Sequence, residues 1–290
     1  MPTTGSDQAT AILLLSCPDR KGLVAGVSDF IYRHNGNILH ADQHIDSEKS
    51  IFLQRVEWEL RGFEIPREKI REEFRPLAER FGMTWELRFS DSVPRMALLV
   101  SKYQHCMYDM LSRHRMGELN VMIPLVVSNH PDLRSIAESF GAAFHCFPMS
   151  AETRATGERQ MLEKLADYNI DFIVLARYMR ILSGDFVSQY PNRIINIHHS
   201  FLPAFAGSRP YHQAFERGVK IIGATAHYVT AQLDAGPIIE QDVVRVSHRD
   251  LVEDLIRKGR DLEKIVLARA VGHHLSNRVL AYENKTVVFD

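Results

Sequence analysis

Apolar and polar positions alternate differently in two parts of the chain. Up to about residue 90 the apolar runs are short and separated by polar turns. Ala11-Ile-Leu-Leu-Leu15 is a strand-like run, and Pro18-Asp-Arg-Lys-Gly22 breaks it. From Leu23 to His34 the residues Leu23, Val24, Val27, Phe30 and Ile31 recur at helical spacing, and Asn35-Gly36 ends that helix. Ile38 to Asp46 and Ser50 to Leu60 read as two strands joined by the polar Ser47-Glu-Lys49. Pro66 opens a second helix, charged on one face and running to about Phe81, and Met83 to Phe89 closes the unit as a strand. The order βαββαβ is a ferredoxin-like split unit, with two helices on one face of an antiparallel sheet.

Ser90-Asp-Ser-Val-Pro94 reads as a linker, after which strands and helices alternate. Met96 to Val100, Val121 to Val127, Asp171 to Leu175 and Arg193 to His198 are apolar enough for buried strands. Helical stretches near Tyr103 to Arg115, Asp132 to Phe140 and Glu152 to Tyr168 separate them. This alternation predicts an α/β, Rossmann-like domain with a mostly parallel sheet covered on both faces. Ile222 to Val246 reads as a hairpin and Asp250 to Asn277 as a long closing helix. The expected domains are therefore 8–90 and 95–290.

Composition narrows the class. The 290 residues are 45% hydrophobic and 24% charged, with a formal net charge of -1, which suits a globular protein and offers little to a polyanion. Neither nucleic acid nor membrane is an expected partner. The first ten residues lack the basic-then-apolar plan of a secretory signal, and no apolar run approaches the ~20 residues of a membrane helix. Cys17, Cys106 and Cys146 are far apart, without a CxxC pair, so the expectation is a reduced, cytoplasmic protein.

The candidate chemistry lies late in the chain. Asn196-Ile-His-His-Ser-Phe-Leu-Pro203 puts an amide and an imidazole two residues apart at the end of a strand, on one face. His227 follows on an apolar run, and Leu233-Asp-Ala-Gly-Pro-Ile-Ile239 supplies a carboxylate at a turn. An amide, an imidazole and a carboxylate around one point suit attack on a single carbonyl. No HExxH is present, and Asp19, Asp234 and Asp261 are not gathered at ligand spacing, so no metal is expected. Arg257, Lys258, Arg260 and Lys264, with Glu253, Asp254, Asp261 and Glu263, read as a solvated, ion-paired helix face.

These motifs, from about residue 95 to 285, resemble the formyltransferase family that uses 10-formyltetrahydrofolate, which includes glycinamide ribonucleotide transformylase and methionyl-tRNA formyltransferase. The resemblance implies that Asn196, His198 and Asp234 are catalytic, with Asp234 as the base for water and the other two stabilising the oxyanion. It also implies that Leu175-Ala-Arg-Tyr-Met-Arg-Ile-Leu182 forms the folate pocket through Arg177, Met179, Arg180, Ile181 and Leu182, joined by Ser200, Leu202, Pro203 and His227. An ionised Asp at its usual pKa of ~4 is a weak base, so burial is expected to raise it. Ser208-Arg209 is read as adding a charge near the pocket mouth.

The first ninety residues resemble an ACT domain, a regulatory module, through Cys17-Pro-Asp-Arg-Lys-Gly-Leu-Val24 and Asn35-Gly-Asn-Ile38. This implies an amino-acid effector near Asp19, Gly22, Asn35 and Asn37, and a homodimer or homotetramer. The two units together resemble the formyltetrahydrofolate deformylase family. That family implies hydrolysis of 10-formyltetrahydrofolate without a further cofactor, supplying formate for purine synthesis and balancing one-carbon folate pools. One departure from the transferases supports water as the acceptor. No glycine stands between Gly82 and Gly117, so Lys102, Tyr103, Gln104 and His105 replace a glycine-rich phosphate-cradling loop.

Overall fold

The computed structural model describes residues 9–150, 152–203 and 210–290. These form two compact units. One runs to Ser92 and takes in Ser276–Tyr282 and Thr286–Asp290; the other comprises Val93–Leu275 and Glu283–Lys285.

In the first unit the order is β1 (Thr10–Pro18), α1 (Leu23–Arg33), β2 (Ile38–Asp46), β3 (Ile51–Glu59), α2 (Ile70–Phe81) and β4 (Thr84–Phe89). The strands pair antiparallel in the order β2-β3-β1-β4. Leu13, Leu15, Val56, Trp58 and Leu87 on one sheet face close over Leu23, Val27, Ile31, Phe74 and Ala78 of the helices. Helix α2 starts later than Pro66 suggests. Pro66 opens a turn, accepting from the Lys69 N–H at 2.8 Å, before the helix begins at Ile70.

Every residue from Ala11 to Leu15 is buried because both faces of β1 are covered. The second cover is the chain's last hairpin, whose Leu280 and Phe289 meet Leu14 and Leu53. Arg55 Nε donates to the Asn277 carbonyl at 3.0 Å and fixes its entry. The sequence reading placed these last residues with the second domain, because a short hairpin after a long helix carries no periodicity of its own.

The second unit opens with β5 (Arg95–Val100), α3 (His105–Arg115), β6 (Met122–Ser128), α4 (Arg134–Ser139), β7 (Ala143–Cys146) and α5 (Arg154–Asp167). It continues with β8 (Phe172–Leu175), α6 (Gly184–Ser188), β9 (Ile194–His198), α7 (Pro210–Arg217), β10 (Ile221–Tyr228), β11 (Ile238–Arg245) and α8 (Val252–Leu275). The last hairpin is β12 (Val279–Tyr282) with β13 (Lys285–Val288). The described residues of this unit form a sheet in the order β11-β10-β9-β8-β5-β6-β7. From β7 to β9 neighbours are parallel, while β10 and β11 are antiparallel. The expected α/β class holds. Chain order reverses between β5 and β8, and in open sheets of this kind ligands sit beyond the carboxyl ends at such a point.

Candidate active site

Asn196 and His198 leave the same face of β9, at its carboxyl end. Antiparallel pairing sets His227 of β10 opposite Asn196, and Thr225 opposite His198. The β10–β11 pairing slips between Ala226 and His227, an irregularity of the kind that re-aims side chains. Asp234 comes from the loop that follows. Its backbone is left-handed, with φ 51°, and Gly236 passes so close to the Tyr228 carbonyl that a Cβ would collide with it. The Tyr228 N–H donates to the Pro237 carbonyl at 2.9 Å. Asp-Ala-Gly-Pro is thus a tight turn that brings a carboxylate back to the strand.

The four polar groups interlock. His198 Nδ1 lies 3.3 Å from Asp234 Oδ2, and His227 Nε2 lies 3.7 Å from Oδ1. His227 Nδ1 donates to the Tyr228 carbonyl at 2.9 Å, since a carbonyl can only accept. Its Nε2 then accepts from Asn196 Nδ2 at 3.2 Å, and one Asn196 N–H is left over.

The hydrogen bond from His198 outweighs the burial that would raise Asp234, and its carboxyl is held well below the usual range. The expectation that burial raises Asp234 is therefore reversed. An ionised carboxylate only accepts, so the proton between the two groups sits on His198 Nδ1. The other ring nitrogen, Nε2, is buried and has no hydrogen-bond partner among the described residues. Next along the chain, His199 is pushed down to about 3 by burial and by the Arg177 charge, and stays neutral.

These groups open on a cavity of about 580 Å³. Arg177, Met179, Arg180, Ile181, Leu182 and His227 all line it, as do Asn196, His198 and Asp234. Met179 and Ile181 are about half exposed, which leaves apolar surface for a flat ligand. The segment is held from behind. Ser101 Oγ accepts from the Met179 N–H at 2.9 Å and donates to Asn129 at 2.6 Å. Buried Glu158 accepts from the Ser183 N–H at 3.0 Å and from its hydroxyl.

Ser200, Leu202 and Pro203 do not line this cavity. β9 has ended, and the chain turns toward β10, where Thr225 Oγ1 accepts from the Leu202 N–H at 3.1 Å and Gln241 donates to its carbonyl at 3.1 Å. Ser200 is buried against a smaller apolar cavity instead. Arg209 lies outside the described residues.

The sequence reading missed Glu263, which it set on a solvated face. Arg257, Lys258 and Lys264 do pair with carboxylates, Asp254, Asp250 and Asp261, each at 2.8 Å. Glu263 is 1% exposed. It accepts from His105 at 2.8 Å and Tyr211 at 2.6 Å, with Arg177 Nε at 3.4 Å. Burial pushes its carboxyl up, but the His105 hydrogen bond, the Arg177 charge and the Tyr211 hydrogen bond together bring it below its ordinary value. Gly259, one turn earlier, was the available signal. A Cβ there would collide with the Tyr211 ring, and glycine inside a helix costs roughly 0.5–1 kcal/mol relative to alanine.

Among the described residues, His105, Cys106 and Glu263 are close enough together to suggest metal ligands. The donor set suits a metal poorly. Burial and the Glu263 charge push the Cys106 thiol well up, and the Arg177 cation already sits on the carboxylate.

The Formyl transferase family matches residues 94–271, and the ACT domain family matches residues 11–79. A formyltetrahydrofolate deformylase of Synechocystis sp. is 61% identical, over 97% of this chain and 98% of its own. The chain belongs to the formyltetrahydrofolate deformylase family. The crystal structure of the deformylase from Pseudomonas syringae pv. tomato matches with TM-score 0.96 and 46% identity, over 99% of this chain and 96% of that one. A transformylase structure matches over part of the chain. Glycinamide ribonucleotide transformylase 1 from Symbiobacterium toebii covers 71% of this chain and 98% of its own, with TM-score 0.66 and 33% identity.

Within the ACT domain of this deformylase-family chain, the four effector positions fall into two groups. Asp19 and Gly22 lie at the start of α1, and Asn35 and Asn37 beyond its end. Eleven helical residues separate them, about 16 Å at 1.5 Å per residue. Asn35 donates to the Gly62 carbonyl at 2.9 Å and Asn37 to Glu59 at 3.2 Å. One chain does not bring the four around a single point. No helix among the described residues is long and apolar enough to cross a membrane.

Proposed function

We propose that this chain hydrolyses 10-formyltetrahydrofolate to formate and tetrahydrofolate, with His198 and Asp234 handling the proton and Asn196 steadying the oxyanion. The observation that carries the reading is the buried, unpartnered Nε2 of His198, held by ionised Asp234 in a cavity shared with the Met179–Leu182 segment. The pterin lies against that segment, and the formyl group faces Asn196 and His198.

Nε2 takes a proton from water as its oxygen adds to the formyl carbon. The imidazolium so formed is stabilised by Asp234. The oxyanion is met by the free Asn196 N–H, whose direction His227 sets. Collapse breaks the bond from carbon to N10, and Nε2 returns its proton to N10. This moves the base from Asp234 alone to the His198–Asp234 pair, and it needs no raised carboxyl pKa. A positioned proton carrier contributes roughly 10² to 10⁴ in rate, and an oxyanion donor about 10² to 10³.

The ACT domain serves to bind an amino-acid effector, and its residues divided by α1 fit a site completed by a second copy in a homodimer or homotetramer. The test of the main reading is incubation with 10-formyltetrahydrofolate and no acceptor. Formate and tetrahydrofolate in equal amounts are expected. Release only when an amine acceptor is added would make the chain a transferase, and no release at all would leave it a binding protein.

A further inference from the structure

Where the sheet reverses its order, between the ends of β5 and β8, the cavity is walled by bulky and charged side chains. The loop after β5 brings Tyr103, the start of α3 brings His105, and the loop after β8 brings Arg177. Helix α8 adds Glu263, and α7 adds Tyr211. Arg177 is 9% exposed, stands 5.3 Å from the Tyr103 ring, and has a left-handed backbone with φ 64° that an arginine seldom adopts. The cluster is continuous with the catalytic groups. The His198 and His199 rings are 5.2 Å apart, and the His199 and Tyr211 rings 5.8 Å apart. Tyr211 then reaches Glu263, and Glu263 reaches His105.

We infer that Arg177, Glu263, Tyr211 and His105 choose water as the acceptor, by filling the side of the cavity from which an amine would approach the formyl carbon. This rests on the reading of the cavity as a formyltetrahydrofolate site. For transfer, the amine nitrogen must come within about 3–3.5 Å of the carbon, and its substituent must sit behind it. On this inference the volume behind it is the part of the cavity walled by Tyr211 and the Arg177–Glu263 pair. The Arg177 charge is offset by the Glu263 carboxylate, so the discrimination is one of space, which water is small enough to escape. The chemistry otherwise balances alike. The bond to N10 breaks, a bond to oxygen or to amine nitrogen forms, and the proton lost by the nucleophile goes to N10.

The experiment uses the full-length protein with 10-formyltetrahydrofolate and glycinamide or hydroxylamine, counting formate against N-formyl product. Two variants are compared with the unaltered chain. Arg177→Gly places glycine where the backbone is left-handed, so the fold is kept; Arg177→Gly with Glu263→Gln also avoids stranding a buried carboxylate. The expected result is a rise of at least about tenfold in the ratio of N-formyl product to formate, the scale on which pocket shape discriminates. Arg177→Lys, which keeps charge and most of the bulk, should hold the original ratio. A ratio unchanged in both glycine variants, with tetrahydrofolate still released, overturns the inference alone. No formate from the unaltered chain overturns the substrate reading and the inference with it.

Discussion

Two carboxylates, Asp234 and Glu263, line the same cavity and are wired in opposite ways. Asp234 sits on a strained turn at the edge of the cavity, 16% exposed, and touches two imidazoles. One of those imidazoles keeps a buried nitrogen without a partner among the described residues. Glu263 sits inside a helix, 1% exposed, and both its oxygens are engaged, by Tyr211 and by His105 with Arg177. The first arrangement leaves an imidazole nitrogen with something still to bind; in the second both carboxylate oxygens are engaged, and the atom left without a hydrogen bond is the Nε of Arg177, 3.4 Å from the carboxylate. Polar groups taken out of water are costly unless satisfied, so an imidazole nitrogen left open beside a carboxylate that fixes its tautomer marks where a ligand completes the set.

The contrast can be broken from either side. The largest effect falls on Asp234 and His198. Asp234→Asn and His198→Ala should each lower turnover by roughly 10² to 10⁴, with folate affinity kept in equilibrium dialysis. Glu263 should answer mainly in stability. Glu263→Ala strands the buried Arg177 charge and should cost about 3–5 kcal/mol in denaturant unfolding, whereas Asp234→Ala should cost far less. Equal losses for the two would erase the distinction drawn here.

Smaller effects sharpen the same comparison. His227→Phe removes the group that sets Asn196, and should cost roughly ten- to a hundredfold in kcat, the range seen when an orienting partner is lost. Asn196→Ala should exceed it, because it removes the donor itself. Because Asp234 is held below the usual range, kcat/KM should show no inflection near pH 4, where an ordinary carboxyl titrates.

A last difference lies in pH-dependent stability, and at neutral pH it vanishes. His199 is neutral in the folded chain down to about pH 3, while in the unfolded chain it takes up a proton near its ordinary value of 6.5. Its burden on stability is therefore absent above about pH 6.5 and grows as pH falls. Between those values its slope approaches about 1.4 kcal/mol per pH unit. Urea unfolding of His199→Gln should be flatter with pH across that window.

Periodicity carried most of the fold, and the spacing of Asn196, His198 and Asp234 singled out the candidate site. The ACT unit was readable because its apolar runs and turns alternate cleanly, and the parallel strands because Met96–Val100 and Phe172–Leu175 are buried on both faces. Asn196 and His198 were readable because two-residue spacing on a strand fixes a shared face. What was not readable depends on contacts made far along the chain. Glu263 looked like one more charge in an ion-paired helix, since its partners His105, Arg177 and Tyr211 come from three other elements. The lowered pKa of Asp234 follows first from the turn that brings its carboxylate to His198, a contact between separate segments of the chain. The short pieces β7, α6 and α7 carry too few residues to show a period.

One measurement bears most directly on the claim that His198 and Asp234 carry the chemistry while Glu263 closes the crevice. It is single-turnover formate release from 10-formyltetrahydrofolate, without acceptor, by Asp234→Asn and Glu263→Gln side by side. The account predicts that Asp234→Asn is slower than the unaltered chain by at least about a hundredfold, and that Glu263→Gln stays within about tenfold of it. Formate released at a near-normal rate by Asp234→Asn, or the reverse order of the two variants, would contradict it.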